Sequence, residues 1–382
     1  MERRALDGVS VVDITQVIAG PLCGRMLADL CADVIKIDRP PPAGAPAAVR
    51  SNAASPALNL GKRSIAIDLA SEQGNAVARE LIGRADVVLE NFRPGALSKL
   101  GLGYEQLSAQ HPRLIFASIS GFGQDGPRAG RRAFGSTAHA EAGLLWLQQR
   151  ALGSDAPFAP GLTIADIVTG MNACSGVLAA LYDREQSGRG QHIDVSLVES
   201  QFAMLFEAAG PALNGGVAEH WRPFRHPIFE AQDGFVCINP GPAVWPRVAE
   251  GLGHPGAPPP TSIADFQQRV AQWAGALTLD ELERGMDAAG APFGIVRSMQ
   301  DAVELPYFAE RGMIAELPDP IDGTLRAISS PIHLSEAATT PTGPAPLAGE
   351  QTRSVLGEEL GYSAERIDAL LADGAVAEQV AP

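Results

Sequence analysis

Hydrophobic residues recur with two different periods along the first 200 residues, and their alternation predicts a parallel sheet. Short runs rich in apolar and β-branched residues are typical of strands that are buried on both faces. Segments with helical spacing separate these runs, at 22–30 and 74–83. Strand, helix and strand within about thirty residues make a βαβ unit, which requires parallel strands. The predicted strands are 9–14, 34–37, 64–67, 87–89, 114–118 and 192–197.

A long amphipathic helix is predicted after residue 166. Its apolar positions recur at alternating steps of four and three residues, at Ile167, Met171, Cys174, Leu178 and Leu181. This spacing places Asp166, the one charged residue of GLTIADIVTG (161–170), at or near a helix N-terminus. The helix dipole favours a negative charge there by roughly 0.3–1 kcal/mol. From the local pattern, Asp166 is either a helix cap, a common use of Asp, or a carboxylate nucleophile held by a packed helix.

The chain has 382 residues, more than a single hydrophobic core usually includes, so its length predicts two domains. The periodic pattern breaks around residues 214–216, as at a linker. The segments after the break predict a small α+β domain, with a strand at 235–238 and helices at 243–252 and 262–277. The predicted division is a large domain at 1–205, a linker at 206–226, the small domain at 227–315, a second linker at 316–348 and a helical tail at 349–382.

The composition is that of a folded protein, with 46% hydrophobic and 19% charged residues. The net charge of −15 excludes a basic face for nucleic acid. An acidic protein that binds a polyanion must therefore use a few local cations. Five cationic residues follow predicted strands or lie in nearby loops, at the sheet edge where such folds bind ligands. They are candidates for phosphate contacts or are solvated surface charges: Arg39, Lys62, Arg63, Arg93 and Lys99.

The cysteines and the start of the chain indicate a cytoplasmic protein. None of the four cysteines forms a CxxC pair, and no His–Cys cluster has zinc spacing, so free thiols and no metal are expected. Asp13 interrupts the first apolar stretch, which therefore predicts a strand and not a signal peptide. No apolar run reaches the length of a membrane span, so no membrane partner is expected.

Gly121, Gly123 and Gly126 spell GxGxxG after the strand predicted at 114–118. A dinucleotide site requires a helix that begins within this motif, so that its N-terminus meets the pyrophosphate. Pro127 and the sequence RAGRR follow instead, and they do not begin a helix. The sequence therefore predicts a mobile glycine loop near the active site, and no nicotinamide or flavin cofactor.

GLTIADIVTG resembles the nucleophile segment of the class III CoA-transferases, the family that also holds carnitine CoA-transferase, formyl-CoA transferase and 2-methylacyl-CoA racemase. Several other blocks resemble the same family in the same order, covering most of residues 1–200 and the tail. The resemblance is weak between about 210 and 310. The blocks are VVDITQVIAGPLCGRMLADLCADVIKIDRP (11–40), LNLGKRSIAIDL (58–69), DVVLENFRPGALSKLGLGYEQL (86–107), PRLIFASISGFGQDGP (112–127), SGRGQHIDVSLVES (187–200) and GEQTRSVLGEELGYSAERIDALLADGAV (349–376).

The resemblance implies a fold and an assembly. The fold is α/β, with an open parallel Rossmann-like sheet in the large domain, a smaller α+β domain and a C-terminal tail that returns to the large domain. Two ring-like subunits would interlock as a homodimer through long connectors, for which residues 200–226 and 310–348 have the length.

The resemblance also implies a reaction, in which CoA moves from an acyl-CoA to a carboxylic acid without ATP. The family scheme uses covalent catalysis, and Asp166 falls at the nucleophile position. The resemblance implies that CoA binds as part of the acyl-CoA substrate. It places Gln16, Arg39, Asn91, Lys99 and Arg132 at positions that contact or approach CoA in the family. Gln16 and Asn91 are equally compatible with turn or capping roles.

The sequence departs from the family pattern at three places. Phe134-Gly135 stands where the family often has Tyr-Asp or Tyr-Glu, and Ile18 stands where the formyl-CoA branch has glutamine. PGPAVWP (240–246) occupies the region of that branch's glycine-rich loop. Formyl and oxalyl substrates are therefore not assigned, and the donor and acceptor acids stay open.

Two alternative functions remain. A 2-methylacyl-CoA racemase would use Asp166 as one member of an acid/base pair, with a histidine where this chain has Phe134; His139, five residues later, is a possible replacement. The other alternative is a protein that binds acyl-CoA without catalysis. A serine hydrolase is disfavoured because the chain has no GxSxG motif.

Overall fold

The structure, a computed structural model, describes residues 4–42, 44, 46, 49–51, 53–215, 227–239, 241–319, 321, 323–339 and 343–379. These residues form two compact units. The larger unit comprises the described residues up to 215 and from 311 onward, and the smaller unit comprises residues 227–310.

A mainly parallel sheet forms the centre of the larger unit. Six strands run parallel, and the C-terminal strand pairs antiparallel with the outermost of them at one edge. This is the α/β architecture that the sequence predicted. In spatial order the strands are β12 (Val376–Ala377), β3 (Arg63–Ile67), β2 (Asp33–Asp38), β1 (Ser10–Asp13), β4 (Val87–Glu90), β5 (Ile115–Ser120) and β6 (His192–Ser196).

Helices connect and cover these strands. The sequence of residues 136–149 predicts one short helix, but the segment forms two helices because Gly143 takes a left-handed conformation (φ 95°) between them. The helices of the larger unit are α1 (Ala19–Asp29), α2 (Glu72–Ile82), α3 (Ala96–Lys99), α4 (Tyr104–Ser108), α5 (Gly135–Glu141), α6 (Leu144–Leu152), α7 (Ile164–Ser187), α8 (Leu197–Met204), α9 (Phe206–Leu213), α15 (Thr352–Ser354) and α16 (Ala364–Ala372), with a 3₁₀ turn at Pro56–Asn59 and a π-helical segment at Val355–Glu359.

The sheet has a hydrophobic core on each face, as its continuously apolar strands require. Val11 and Val12, adjacent in β1, enter different cores because successive strand residues point to opposite faces. One core is covered by α1 and α7. The other is covered by α2 and by the tail, whose Ile367 and Leu370 pack there before β12 joins the sheet.

The helix α7 packs closely on α1. A Cβ added to Gly170 would lie 2.7 Å from the carbonyl oxygen of Ala19, so glycine permits the close approach of the two helices. By length and composition α7 could also cross a membrane, so the expectation that no segment was long enough is wrong. Its inward face, including Ala173 and Val177, is buried in the core of this unit. Packing in a core also accounts for an apolar helix of this length.

A hairpin follows the smaller unit and belongs to the larger one. Its strands, β10 (Ile314–Asp319) and β11 (Gly323–Ile328), are antiparallel, and all but the first two residues of β10 lie within the segment predicted as the second linker, 316–348. Arg50 binds Asp319 through two N–O contacts of 2.8 Å, which ties the hairpin to the body of this unit. Of the predicted first linker, residues 206–213 form α9 and residues 216–226 lie outside the described residues.

The smaller unit combines an antiparallel sheet with helices, the α+β class that the sequence predicted. Its core is built around Trp245, Phe266 and Met286. In spatial order its strands are β7 (Ile228–Glu230), β8 (Phe235–Ile238) and β9 (Phe293–Ile295). Its helices are α10 (Trp245–Gly251), α11 (Ile263–Ala274), α12 (Leu279–Ala289), α13 (Met299–Val303) and α14 (Pro306–Glu310).

Candidate active site

A cavity of about 260 Å³ opens at the carboxyl ends of β1, β4 and β5. The strand order reverses between β1 and β4, and open α/β sheets bind ligands at such a reversal. The turn after β1 (16–19), the turn after β4 (91–94), the end of β5 (119–121) and the loop 129–134 line the cavity. Asp166 and Leu197 complete the lining. The site therefore lies where the topology alone favours one.

Gln16 and Asn91 join the first two of these turns. The backbone N–H of Gln16 donates to Asn91 Oδ1 at 2.8 Å, and Asn91 Nδ2 donates to the Gln16 carbonyl oxygen at 2.6 Å. Both predicted CoA-proximal residues therefore line the cavity, and the Asn91 amide also links two strands that lie at the reversal point. One Nδ2 hydrogen of Asn91 is not used in this pair.

Val17 takes a left-handed conformation (φ 70°) at the cavity wall. This backbone conformation is unfavourable for a β-branched residue and persists only where the surroundings enforce it. The Val17 carbonyl oxygen accepts the N–H of Ala54 at 2.8 Å. Because α1 begins at Ala19, the turn directs the positive end of that helix toward the cavity, which favours anions there. The apolar sequence around Val17 carries no local signal of this strain.

Asp166 is the third residue of α7, which confirms the predicted position at a helix N-terminus. The N-cap position belongs to Thr163, so the interpretation of Asp166 as the cap residue is wrong. The Asp166 carboxyl group lies against Gly135, where any added Cβ would collide with Asp166 Oδ2. Burial raises the pKa of Asp166 above the usual aspartate value, although its own backbone N–H acts in the opposite direction.

His139 holds the first turn of α7. Its Nε2 accepts the backbone N–H of Ala165 at 3.0 Å, which assigns the neutral tautomer with the proton on Nδ1. Burial lowers the pKa of His139, which also favours the neutral ring. A general base needs a free lone pair, but the lone pair of His139 Nε2 already accepts a hydrogen bond from α7, the helix that carries Asp166.

Three arginines lie close together in the loop before α5. Arg128 and Arg131 both bind Glu141, at 2.7 and 2.8 Å. Arg132, the predicted basic residue, lines the cavity and is exposed, and no carboxylate of the described chain pairs with it. Its guanidinium group is therefore available to an anion in the cavity.

A second cavity of about 160 Å³ adjoins the first and shares Gln16 and Phe92 with it. Arg39, which follows β2, lines this second cavity. Lys99 lines neither cavity, although it ends α3, whose Ala96 and Leu97 line the second one. The structure thus brings Gln16, Asn91, Arg132 and Asp166 together around the first cavity, places Arg39 beside Gln16, and leaves Lys99 exposed nearby.

Two of the five cationic residues considered for phosphate contacts pair instead with acidic side chains and line neither cavity. Lys62 is buried with its Nζ 2.8 Å from Asp13 Oδ2, and Arg63 binds Asp33 and Glu359. Burial raises the pKa of Asp13, but Lys36 and Lys62 lower it more, so the net shift is downward. Sequence reasoning missed this buried cluster, although charged residues within or next to strands buried on both faces are a signal for one.

The glycine-rich loop lies beside the cavity, as predicted. Gly121 lines the cavity, and residues 121–134 are turns and bends. The next helix, α5, begins only at Gly135, so the helix that a dinucleotide motif requires does not open here.

The chain is similar to known proteins both in sequence and in fold. Residues 6–352 match the family model described as CoA-transferase family III. The chain is 33% identical to the succinyl-CoA–L-malate CoA-transferase beta subunit of Chloroflexus aurantiacus, over 96% of each chain. It is 30% identical to the succinyl-CoA:glutarate CoA-transferase of Mus musculus, over 98% of this chain and 90% of that one. A solved CAIB/BAIF family protein from Brucella suis superposes with a TM-score of 0.78 at 28% identity, covering 94% of this chain and all of that one.

Glu90 is a buried carboxyl group directly before Asn91. Its Oε2 accepts the backbone N–H of Phe92 at 2.8 Å, which shapes the turn that lines the cavity. Burial raises the pKa of Glu90 to about 7, although hydrogen bonds from Ser118 and Phe92 act in the opposite direction. No ion pair of the described residues neutralises it, and no local pattern in the sequence indicates that its pKa is raised.

We expect the Glu90→Gln variant to become increasingly more stable than wild type as the pH rises. The unfolded glutamate ionises near pH 4.5 and the folded one near pH 7, so the folded state binds more protons in this interval. Wild-type stability therefore falls from pH 4.5 to 7 and then levels off, while glutamine is unaffected. The difference in unfolding free energy should grow by up to about 3 kcal/mol between pH 5 and 8. Denaturant titrations across this range measure it, with the exposed Glu336→Gln as control; parallel curves for Glu90→Gln and wild type would contradict the expectation.

Proposed function

The chain belongs to CoA-transferase family III, and on this premise we propose that it moves CoA from an acyl-CoA to a carboxylic acid through a thioester on Asp166. The observation that carries the proposal is the position of the Asp166 carboxyl group. It lies in the first turn of a packed helix and faces a cavity that Gln16, Asn91 and Arg132 also line. The resemblance of GLTIADIVTG to the nucleophile segment of the family and the geometry of the switch point therefore support the same residue.

The proposed reaction proceeds by two exchanges at the Asp166 carboxylate. A carboxylate oxygen attacks the donor thioester carbonyl, the C–S bond breaks, and a mixed anhydride and CoA thiolate result. The thiolate attacks the aspartyl carbonyl, releases the donor acid and leaves aspartyl-CoA. The acceptor carboxylate then displaces CoA thiolate to form a second anhydride, and the thiolate attacks the acceptor acyl carbon, regenerating Asp166. Each difficult displacement is divided into easier steps, and no external energy source is needed.

The surroundings of Asp166 suit this task. Its carboxylate has no ion-pair partner among the described residues, so no cation draws electron density from the attacking oxygen. The positive end of α1 at residues 17–19 favours the negative charge that develops on the tetrahedral intermediates. Gly135 leaves the space that the carboxyl group occupies. Glycine at position 135, where this chain departs from the family pattern, is therefore compatible with Asp166 as the nucleophile.

The two adjoining cavities suggest how CoA binds. The first cavity, about 260 Å³, is too small for the whole cofactor and would hold the acyl thioester. The pantetheine arm would cross Gln16 and Phe92, which both cavities share, and the phosphates would meet Arg39 in the second. Lys99, exposed at the end of α3, would reach the same phosphates from outside the cavity.

We propose succinyl-CoA as donor and a dicarboxylic acid as acceptor. The relatives from mouse and Chloroflexus are named for succinyl-CoA and for glutarate or malate. In this chain, Arg132 supplies an unpaired guanidinium group at the cavity, and such a group binds a carboxylate well. The second carboxylate of the acid would bind there while the first reacts at Asp166.

The racemase alternative gains no support from the geometry. Proton transfer needs a second acid/base beside Asp166, but Phe134 at the cavity wall cannot move a proton. His139 accepts the N–H of Ala165 with its free nitrogen. The described residues thus offer one member of the required pair.

We also propose that the protein works in a reducing cytoplasm. The four cysteines, all of them described by the structure, form no disulfide bond, and burial raises the pKa of Cys23 and Cys174, which keeps both protonated. Fractionation of the source cells tests this location.

Asp166→Asn should abolish CoA transfer while the protein still folds and binds CoA. Asparagine is nearly isosteric, and Thr163 holds the cap position, so the loss of stability should stay below about 1 kcal/mol. An amide cannot form the anhydride, so transfer from succinyl-CoA should fall by about 10³-fold or more. In wild type, donor plus hydroxylamine should inactivate the enzyme and leave a hydroxamate on the peptide that contains Asp166.

Asp183→Asn is the matched control for this experiment, since Asp183 is exposed on the same helix. It should keep wild-type transfer. Near wild-type turnover by Asp166→Asn, with deamidation back to aspartate ruled out by mass, would end the covalent proposal.

Arg39→Gln should weaken CoA binding about tenfold at low salt and flatten its salt dependence, because an exposed cation near phosphates is lost. Arg63→Gln provides the control, because Arg63 is already paired with Asp33 and Glu359. Calorimetric titrations with CoA at several salt concentrations measure both variants. Equal losses in the two variants, or none in Arg39→Gln, would place the phosphates elsewhere.

We further propose that the chain forms a homodimer whose subunits interlock through residues 200–226 and 310–348. Large apolar side chains are exposed on α7, α8 and α9 of the isolated chain, and a second copy would cover them. Examples are Met171, Phe202, Phe206 and Leu213, which are 47–73% exposed. A net charge of −15 opposes nonspecific association of two copies, so the contact must gain its stability from such apolar area.

Sedimentation velocity at micromolar concentration should show a dimer that persists on dilution to nanomolar. Leu213→Glu combined with Phe206→Glu should yield monomers, because two charges would be buried without partners. Ile263→Glu, at an equally exposed residue of the smaller unit, should leave the dimer intact. A wild-type monomer at micromolar concentration would refute the proposed assembly.

A further inference from the structure

Three charged side chains are buried together beneath the turn after β1. Lys62 Nζ lies 2.8 Å from Asp13 Oδ2, and Lys36 Nζ lies 3.7 Å from Asp13 Oδ1. All three side chains are at most 1% exposed. None of the three lines the cavity, and the proposed reaction does not use them. We call this set the Asp13 cluster.

The Asp13 cluster binds the start of the segment that lines the cavity. Asp13 Oδ1 accepts both the backbone N–H of Thr15, at 2.8 Å, and its hydroxyl group, at 2.5 Å. Lys36 Nζ donates to the carbonyl oxygen of Thr15. Every polar group of Thr15 is therefore bound by this cluster.

The same cluster binds the end of that segment. Lys62 Nζ donates to the carbonyl oxygen of Pro21 at 2.9 Å, in the first turn of α1, and to Asn59 Oδ1 at 2.9 Å. With Asp13 as the third acceptor, all three ammonium hydrogens have partners. Residues 16–19, which line the cavity, lie between the two points that the cluster holds.

We propose that Asp13, Lys36 and Lys62 are positioning residues that fix the segment from Thr15 to Pro21 in the shape that the transfer reaction needs. The inference rests on the proposed function, since it concerns the same cavity. The three groups act through the backbone of residues 16–19 and do not touch substrate.

The conformation of Val17 supports this assignment. A β-branched residue at φ 70° costs roughly 1–3 kcal/mol and persists only where its surroundings enforce it. The Asp13 cluster holds the chain on both sides of Val17. Apolar side chains of similar size would serve packing alone at least as well as a buried ion pair, which pays for the loss of hydration of its charges. The charges are thus explained by the backbone groups that they hold.

The packing of α1 agrees with this role. A Cβ on Gly24 would lie 2.6 Å from Asp13 Oδ2 and 3.0 Å from Lys62 Nζ, and a Cβ on Gly20 would collide with the Thr15 side chain. Both glycines face the cluster and bring the helix backbone close to it. The N-terminal half of α1 is therefore seated directly on these charges.

Paired substitutions at Thr15 test the proposal with little change in volume. Thr15→Val removes the hydroxyl hydrogen bond to Asp13, and Thr15→Ser keeps it. Lys62→Met removes the contact with Pro21 and serves as the stronger variant. Arg184→Met controls for stability alone, because Arg184 pairs with Asp86 at 2.9 Å near the amino ends of the strands, away from the cavity.

Two measurements are made on the full-length protein, well below each variant's melting temperature. The first is amide hydrogen exchange of peptides covering residues 14–21, which requires no substrate. The second is the rate of transfer from succinyl-CoA to glutarate or malate, with the CoA dissociation constant measured separately. The exchange measurement decides on positioning even if no donor and acceptor turn over, so failure of the proposed function is seen separately.

In Thr15→Val and Lys62→Met, the backbone amides of residues 14–21 should exchange at least about tenfold faster than in wild type, while the amides of β5 should exchange at the wild-type rate. Transfer should fall about 10- to 100-fold with a nearly constant CoA dissociation constant, since small displacements near reacting groups cost this much. Thr15→Ser should stay close to wild type in both measurements, and Arg184→Met should lower only the melting temperature. Wild-type exchange of residues 14–21 in Thr15→Val would overturn the proposal, as would an equal effect of Arg184→Met on residues 14–21. If Lys62→Met does not fold, the Thr15 pair decides.

Discussion

The reciprocal hydrogen bonds between Gln16 and Asn91 join the two turns on which the site is built. β1 and β4 are neighbours in space, but the chain leaves them toward opposite faces of the sheet. After β1 it enters α1, which packs in one core, and after β4 it enters α3, whose Leu97 packs in the other. The two turns separate at this point and line the cavity from two sides. Because Gln16 and Asn91 lie in these turns and bond to each other, the relative position of the two cavity walls depends on this pair.

Periodicity in the sequence was sufficient to predict most of the larger unit. Each predicted strand of the central sheet was found within about two residues, because a buried parallel strand and an amphipathic helix are both local patterns. Gly143 shows a limit: its left-handed turn divides a helix whose apolar spacing continues across the break. The hairpin at 314–328 shows another, since its strands are held by Arg50 and other residues far away in sequence. Long-range pairs of this kind leave no period to detect.

The cations show why the site was harder to predict than the fold. Arg39 follows a strand, and Lys62 and Arg63 lie in or next to a loop that leads into one, so the sequence makes all three equal candidates for a phosphate. In the fold, Lys62 has three buried partners and Arg63 has two carboxylates, while Arg39 lines a cavity. The distinction depends on Asp13, Asp33 and Glu359, and these partners are known only once the chain has folded. A cation's sequence position therefore indicates an edge of the sheet, but its availability is a property of the tertiary structure.

The acidity of Asp166 imposes two opposing requirements on the proposed nucleophile. A carboxylate attacks only when ionised, yet it attacks better when its pKa is higher, because basicity and nucleophilicity rise together. Half-burial against Gly135 raises the pKa, and the Asp166 backbone N–H in the first turn of α7 limits the rise. A paired cation would favour ionisation but would weaken the attacking oxygen. The site instead stabilises the charge through backbone dipoles, those of α7 at Asp166 and of α1 across the cavity, which do not bind the carboxylate as an ion pair would. The glycine at 135, the unpaired Asp166 and the seating of α1 on the Asp13 cluster are thus parts of one arrangement, in which backbone groups replace side-chain cations next to the proposed nucleophile.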